Sequence, residues 1–199
     1  MSAFPAADPV APAASRSRDA PRRIAIVRAV LALVWAAALV IVVGDAVPST
    51  SSDVPIAAAA LLASYPAIDV VASIAGALGT DDSASLLRVN AAIGVLAVVA
   101  IAITAFGADA GATLEAFGAW AAVSGAIQFA VAVHLRRTEG GQLPMLVSGG
   151  LSTIAGFGFL ASSGMDDAHL AAVGGYMPLG AVLYLLWAHC SQTAPQAAR

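Results

Sequence analysis

Asp69 is a single carboxylate inside a long apolar run, Val54–Gly79, whose only other interruptions are Pro55 and Pro66. A carboxylate in such a setting needs a partner, water or a proton. Its possible chemistry is therefore limited to interhelical hydrogen bonding, a proton-responsive group, or a step on a permeation path. Gln128, Ser124, Asn90 and Ser152 are further polar side chains within apolar runs. At a rise of about 1.5 Å per residue, counted from the cytoplasmic face, Asp69 lies ~15 Å deep, Gln128 ~12 Å, Ser124 ~18 Å, Ser152 ~14 Å and Asn90 ~8 Å. Asp69 and Gln128 come out level, and Ser124 and Gln128 share one helix face at i, i+4. These five residues form the candidate intramembrane polar site. Burial disfavours an unpaired charge, so Asp69 is expected to be protonated or hydrogen-bonded to Gln128, Asn90 or a serine. Interhelical hydrogen bonds of this kind are worth about 0.6–2 kcal/mol each, and such glue is the preferred reading. Arg28 and Arg88 each sit about one turn inside a run, where snorkelling to the surface is the easy solution. A bridge from Arg88 to Asp69 would have to cover ~9 Å of depth.

Little else in the chain could carry chemistry. There is no Walker loop, HExxH or GxSxG, and no Gly-rich fingerprint following a strand. Cys190 is the single cysteine, which rules out an internal disulfide and a cysteine-based zinc site. His134 and His189 fall at one side of the membrane and His169 at the other, so the three cannot share a metal. Isolated surface histidines are usually just solvated, but His169, beside Asp166 and Asp167, is the one placed to sense external acid. Intramembrane proteolysis needs a Ser/His pair or two aspartates at bilayer depth, and only Asp69 is there. The expectation is a chain with no enzymatic activity, no cofactor and no metal.

The elements that must position Asp69 follow from composition. Of 199 residues 60% are apolar and 11% charged, with a mean hydropathy of +0.87. Soluble domains run at about 45–50% apolar and about 25% charged. A water-soluble globular domain is thereby excluded, and the small net charge of −3 points to no nucleic-acid partner. Six runs reach the roughly 20 residues needed to cross a hydrocarbon layer of ~30 Å: Ile24–Gly44, Val54–Gly79, Val89–Ala108, Ala116–Leu135, Leu143–Ser163 and His169–His189. The fold class is all-α, a polytopic transmembrane bundle. Residues 1–21 read as a disordered cytoplasmic tail, 22–190 as the membrane domain and 191–199 as a second tail. The first run is longer than the ~7–15 residues of a signal-peptide core and is read as a retained span.

The charges orient the bundle. All nine basic residues are arginine, and with six spans Arg16, Arg18, Arg22, Arg23, Arg28, Arg88, Arg136, Arg137 and Arg199 fall on one side. The other side holds Asp45, Asp53, Asp109, Glu115, Asp166 and Asp167. The positive-inside rule then places both termini in the cytoplasm of a bacterial plasma membrane. Small-xxx-small faces at Ser148/Ser152/Gly156, Ala121/Gly125 and Ala72/Gly76 allow close helix approach. Packing within the bundle is the preferred use of these faces, and self-association into a homo-oligomer the other. The lipid bilayer is the remaining partner implied, and no small-molecule substrate is specified.

The even-numbered spans share a pattern. Tyr65-Pro66-Ala67-Ile68-Asp69, Trp120-Ala121-Ala122-Val123-Ser124 and Tyr176-Met177-Pro178-Leu179-Gly180 align, with Gly94 and Gly150 at equal distances upstream of the second and third aromatic. The chain reads as three helical hairpins, about 24–79, 86–137 and 143–189. With Phe117-Gly118-Ala119-Trp120-Ala121, Ser124-Gly125-Ala126, Arg136-Arg137, Gln142-Leu143-Pro144-Met145-Leu146, Ser148-Gly149-Gly150-Leu151-Ser152, Ala155-Gly156, Gly175-Tyr176 and Gly180-Ala181, it resembles the HdeD-like family of short-repeat, six-span bacterial membrane proteins. Tyr65-Pro66…Asp69 looks like the second span of actinobacterial members. The resemblance covers roughly residues 22–190 and implies a non-enzymatic contribution to envelope or acid-stress tolerance. The competing class is a small transporter or channel for protons or a small solute using Asp69.

Overall fold

The computed structural model describes residues 13–43, 47, 49–79, 84–137, 140–166 and 170–193. Asp45, Asp167, His169 and Arg199 lie outside the described residues. Among the described residues there are six helices: α1 (Ala13–Val43), α2 (Ile56–Leu78), α3 (Ala84–Gly107), α4 (Ala110–Leu135), α5 (Leu143–Ser162) and α6 (Ala171–Thr193). Each contains a segment long and apolar enough to cross a membrane. The protein is an all-α, six-helix, multi-pass membrane bundle.

Several boundaries differ from the sequence reading: α3 starts at Ala84 rather than Val89, and α6 runs past His189 to Thr193. α1 already runs through residues 13–20, which composition assigns to a tail. α4 starts at Ala110 rather than Ala116, because Asp109 caps it: its carboxylate accepts from the Ala112 amide at 2.8 Å. Glu115 is thus a helical residue at the membrane edge rather than a loop residue.

The helices form a closed ring. Each packs on its neighbours in sequence, and α6 returns to α1. The most extensive contacts are α4 with α5, α2 with α3, and α1 with α6. These pairs straddle the hairpins read from the sequence, whose own helices (α1/α2, α3/α4, α5/α6) touch less extensively. Contacts such as Asp69 with Asn90, and those a Cβ on Gly118 or Gly174 would make with Gly156 or Val40, show that the close pairs are antiparallel.

Lipid tails are as apolar as leucine, so helices associate here through close packing rather than through the hydrophobic effect. The α4/α5 seam shows how. Gly118 and Gly125 on α4 face Gly156 and Gly149 on α5, with both pairs at i, i+7. A Cβ on Gly156 would lie 2.3 Å from the Ala122 amide nitrogen, and one on Gly125 would lie 2.6 Å from that of Thr153. Both obstacles are backbone and cannot rotate away. Ala121, Ser148 and Ser152 are buried as the small-residue reading requires. Gly76, in the α2 version of that motif, has the Leu87 side chain as its nearest neighbour and marks a looser contact.

The half of the bundle toward the α1–α2 connection is aliphatic. Leu39, Val43, Val47, Leu62, Ile101, Leu114, Leu170, Val173 and Met177 are buried there in one cluster. The α1–α2 connection closes over it. Carbonyls of Ser52 and Thr50 accept from the free amides of Ala110 and Gly111 at the start of α4, at 2.9 and 2.7 Å. The Thr50 hydroxyl donates to the Met165 carbonyl at 3.1 Å.

Gly156→Ala is therefore expected to destabilise the bundle by about 1–3 kcal/mol through overpacking. Gly158→Ala, with nothing within 4 Å of the added carbon, should be neutral or slightly stabilising. Thermal unfolding of the purified variants in one detergent checks the contrast.

Candidate functional site

Three columns of residues share a face on each even helix at i, i+4, i+8 spacing: Tyr65, Asp69 and Ser73 on α2; Trp120, Ser124 and Gln128 on α4; and Tyr176, Gly180 and Tyr184 on α6. The first member of each column is aromatic, and all three rings gather around Phe117. Its centroid is 6.0 Å from Tyr65, 5.2 Å from Trp120 and 6.1 Å from Tyr176, and Phe159 closes the group at 6.0 Å. The aromatic layer separates the aliphatic half of the bundle from a polar layer.

Asp69 is the centre of that layer and is 3% exposed. Its Oδ2 accepts from Asn90 Nδ2 at 2.8 Å and from the Ser124 hydroxyl at 2.9 Å. Its Oδ1 meets an Arg28 guanidinium nitrogen at 2.5 Å. Three donors on two oxygens is the pattern of an acceptor-only carboxylate. Arg28 also lies over the Tyr184 ring, 4.3 Å from its centroid, a cation–π contact that strengthens once desolvated. The Tyr184 hydroxyl donates to Gln128 Oε1 at 3.0 Å, and the Tyr176 hydroxyl reaches Ser152 Oγ at 3.0 Å. Asn90 Nδ2 also donates to Ser73 at 2.9 Å, and Asn90 Oδ1 is left buried without a partner.

All five residues expected at the polar site are inside the bundle, but their partners differ from the expected ones. Asp69 does bond Asn90 and a serine, Ser124. Gln128 does not reach it and turns to Tyr184 and Met145 instead. Ser152 joins through Tyr176. The main correction concerns Arg28, which was expected to snorkel: it points inward and forms the ion pair, whereas Arg88 is exposed. Counted along the helices, Arg28 lies ~10 Å inside α1 from Pro21 and Asp69 ~13 Å inside α2 from Leu78, so the two are nearly level. Starting the first run at Ile24 hid this. The missed signal was simple: Arg28 is the cation deepest within the first span and Asp69 the single anion at mid-depth. Buried charges of opposite sign pair.

His134 and His189 are exposed on different helices. Among the described residues no group of His, Cys, Asp or Glu could hold a metal ion. Beside the ion pair lies a cavity of about 20 Å³ lined by Arg28, Tyr65, Gln128, Ser148, Ser152, Tyr176 and Tyr184 among others. No family model matches the chain, and neither a curated protein nor a solved structure matches it significantly.

Removing one partner of a buried ion pair strands the other charge, at a cost of about 3–5 kcal/mol, whereas apolar replacement of both is often neutral. Asp69→Asn, which leaves Arg28 unpaired, should thus lower the unfolding midpoint strongly. The double variant Arg28→Met/Asp69→Leu should recover most of the loss. A double-mutant cycle in detergent or nanodiscs measures the coupling.

Proposed function

We propose that this is a non-enzymatic, HdeD-like membrane protein of the bacterial plasma membrane that contributes to envelope or acid-stress tolerance as a stable, closed bundle. The observation that carries this reading over a transporter is the state of Asp69. It is buried and bonded to Arg28, Asn90 and Ser124, with an aromatic layer and an aliphatic cluster beyond it. A permeation site must bind and release its cargo through a wetted route, and a carboxylate with these partners is committed to holding helices together. The HdeD-like motifs around Trp120, Gly149 and Tyr176 support the link to acid tolerance. The three-hairpin repeat is supported by the convergence of Tyr65, Trp120 and Tyr176 on Phe117 and by the alternation of more and less extensive contacts around the ring.

Loss of the protein should reduce survival of acid challenge in its native host, and Arg28→Met/Asp69→Leu should restore it as well as the wild type does. Proteoliposomes holding the protein and a pH-sensitive dye should stay as proton-tight as empty ones. A proton flux that vanishes in the double variant would favour the transporter instead.

The arginine distribution supports a topology with both termini in the cytoplasm. In a Cys190→Ser background, single cysteines at the exposed positions Ser51 and Met165 should react with an impermeant maleimide added to intact cells. A cysteine at exposed Gly140 should react only after lysis. The opposite pattern would invert the topology.

A further inference from the structure

We infer that the cavity beside the Arg28–Asp69 pair is a binding site for one ordered water molecule, which completes the polar network between α1, α2, α4, α5 and α6.

Several polar groups at the wall lack adequate protein partners. Ser148 is 2% exposed and its hydroxyl has no hydrogen-bond partner among the described residues. The same holds for the Tyr65 hydroxyl. Gln128 Nε2 has only long contacts with Met145, 3.5 Å to the carbonyl and 3.9 Å to the sulfur. Ser152 Oγ accepts from Tyr176 and keeps its own proton free to donate. Hydroxyl and amide groups buried without partners are costly, and most in folded proteins are satisfied by protein or by ordered water.

The volume matches a single water. A water needs roughly 10–15 Å³ of such space and two to four polar partners. At about 20 Å³ the cavity has room for a water. The wall supplies donors in Gln128, Arg28 and Ser152 and, in Tyr65 and Ser148, hydroxyls that can donate or accept, a set that a molecule with two protons and two lone pairs can satisfy. A small anion fits less well, because Asp69 already neutralises Arg28. The water would connect Ser148 and Ser152 on α5, which the ion pair does not reach, to α1 and α2.

Tyr65→Phe and Ser148→Ala test this without steric conflict, because each only removes a hydroxyl. Each should lower the unfolding midpoint by on the order of 5 °C if that hydroxyl bonds a water. In a dry cavity each would delete an unmet polar group, and an unchanged or raised midpoint for both variants overturns the assignment. A map of the wild-type protein in nanodiscs, at about 2 Å or better, gives the second readout. One density peak is expected within hydrogen-bonding distance of Ser148 Oγ and of Tyr65 Oη or Gln128 Nε2. An empty cavity in a map that resolves waters elsewhere also overturns it. The inference does not depend on the acid-tolerance reading.

Discussion

The Arg28–Asp69 ion pair sets the constraint around which the bundle is arranged. In hydrocarbon neither charge is tolerable alone, and their attraction repays desolvation only when the geometry is good and the remaining valences are met. The surroundings supply those conditions for the carboxylate, whose second oxygen Asn90 and Ser124 occupy, and the Tyr184 ring lies over the guanidinium. Four further consequences follow from one contact. α1 is held against α2, α3 and α4 are held to α2 through Asn90 and Ser124, and α6 is drawn onto α1. An apolar pair could match the stability, but it would not choose among the rotations that six alanine-rich helices can adopt.

The remaining cohesion is steric. Glycines on facing helices bring α4 and α5 to backbone contact, while Gly94 makes room for the Val70 side chain of α2 and Gly174 for the Val40 side chain of α1. Each extensive pair of the ring therefore has its own point of close approach. Between these seams the even helices send Tyr65, Trp120 and Tyr176 to the centre, where small neighbours leave room for large rings. The layers along the bundle axis then differ in character: an aliphatic plug, an aromatic belt, and a polar stratum with a cavity. This stratification makes the protein look built to stay closed.

The membrane as solvent made much of this fold readable in one dimension. It demands helices, about 20 residues each, with polar residues only where a partner exists. Six spans, their short connections and Asp69 as the centre of a polar site were all legible from hydropathy and depth. The start of α4 was not, because Asp109 acts through a single capping bond that apolar run length ignores.

Which arginine pairs with Asp69, which helices close the ring and which glycines touch backbone were decided in three dimensions. Depth along a helix follows from counting residues, but azimuth and lateral neighbour do not. Arg28 and Arg88 looked equivalent by depth, yet α1 turns Arg28 inward and α3 presents Asn90 in its place while leaving Arg88 exposed. Gln128 was level with Asp69 and still found Tyr184. Likewise, α6 packs extensively on α1 although the two are farthest apart in sequence. Sequence alone determined what had to be buried and how deep. Only the rotation and arrangement of packed helices determined what each buried group would meet.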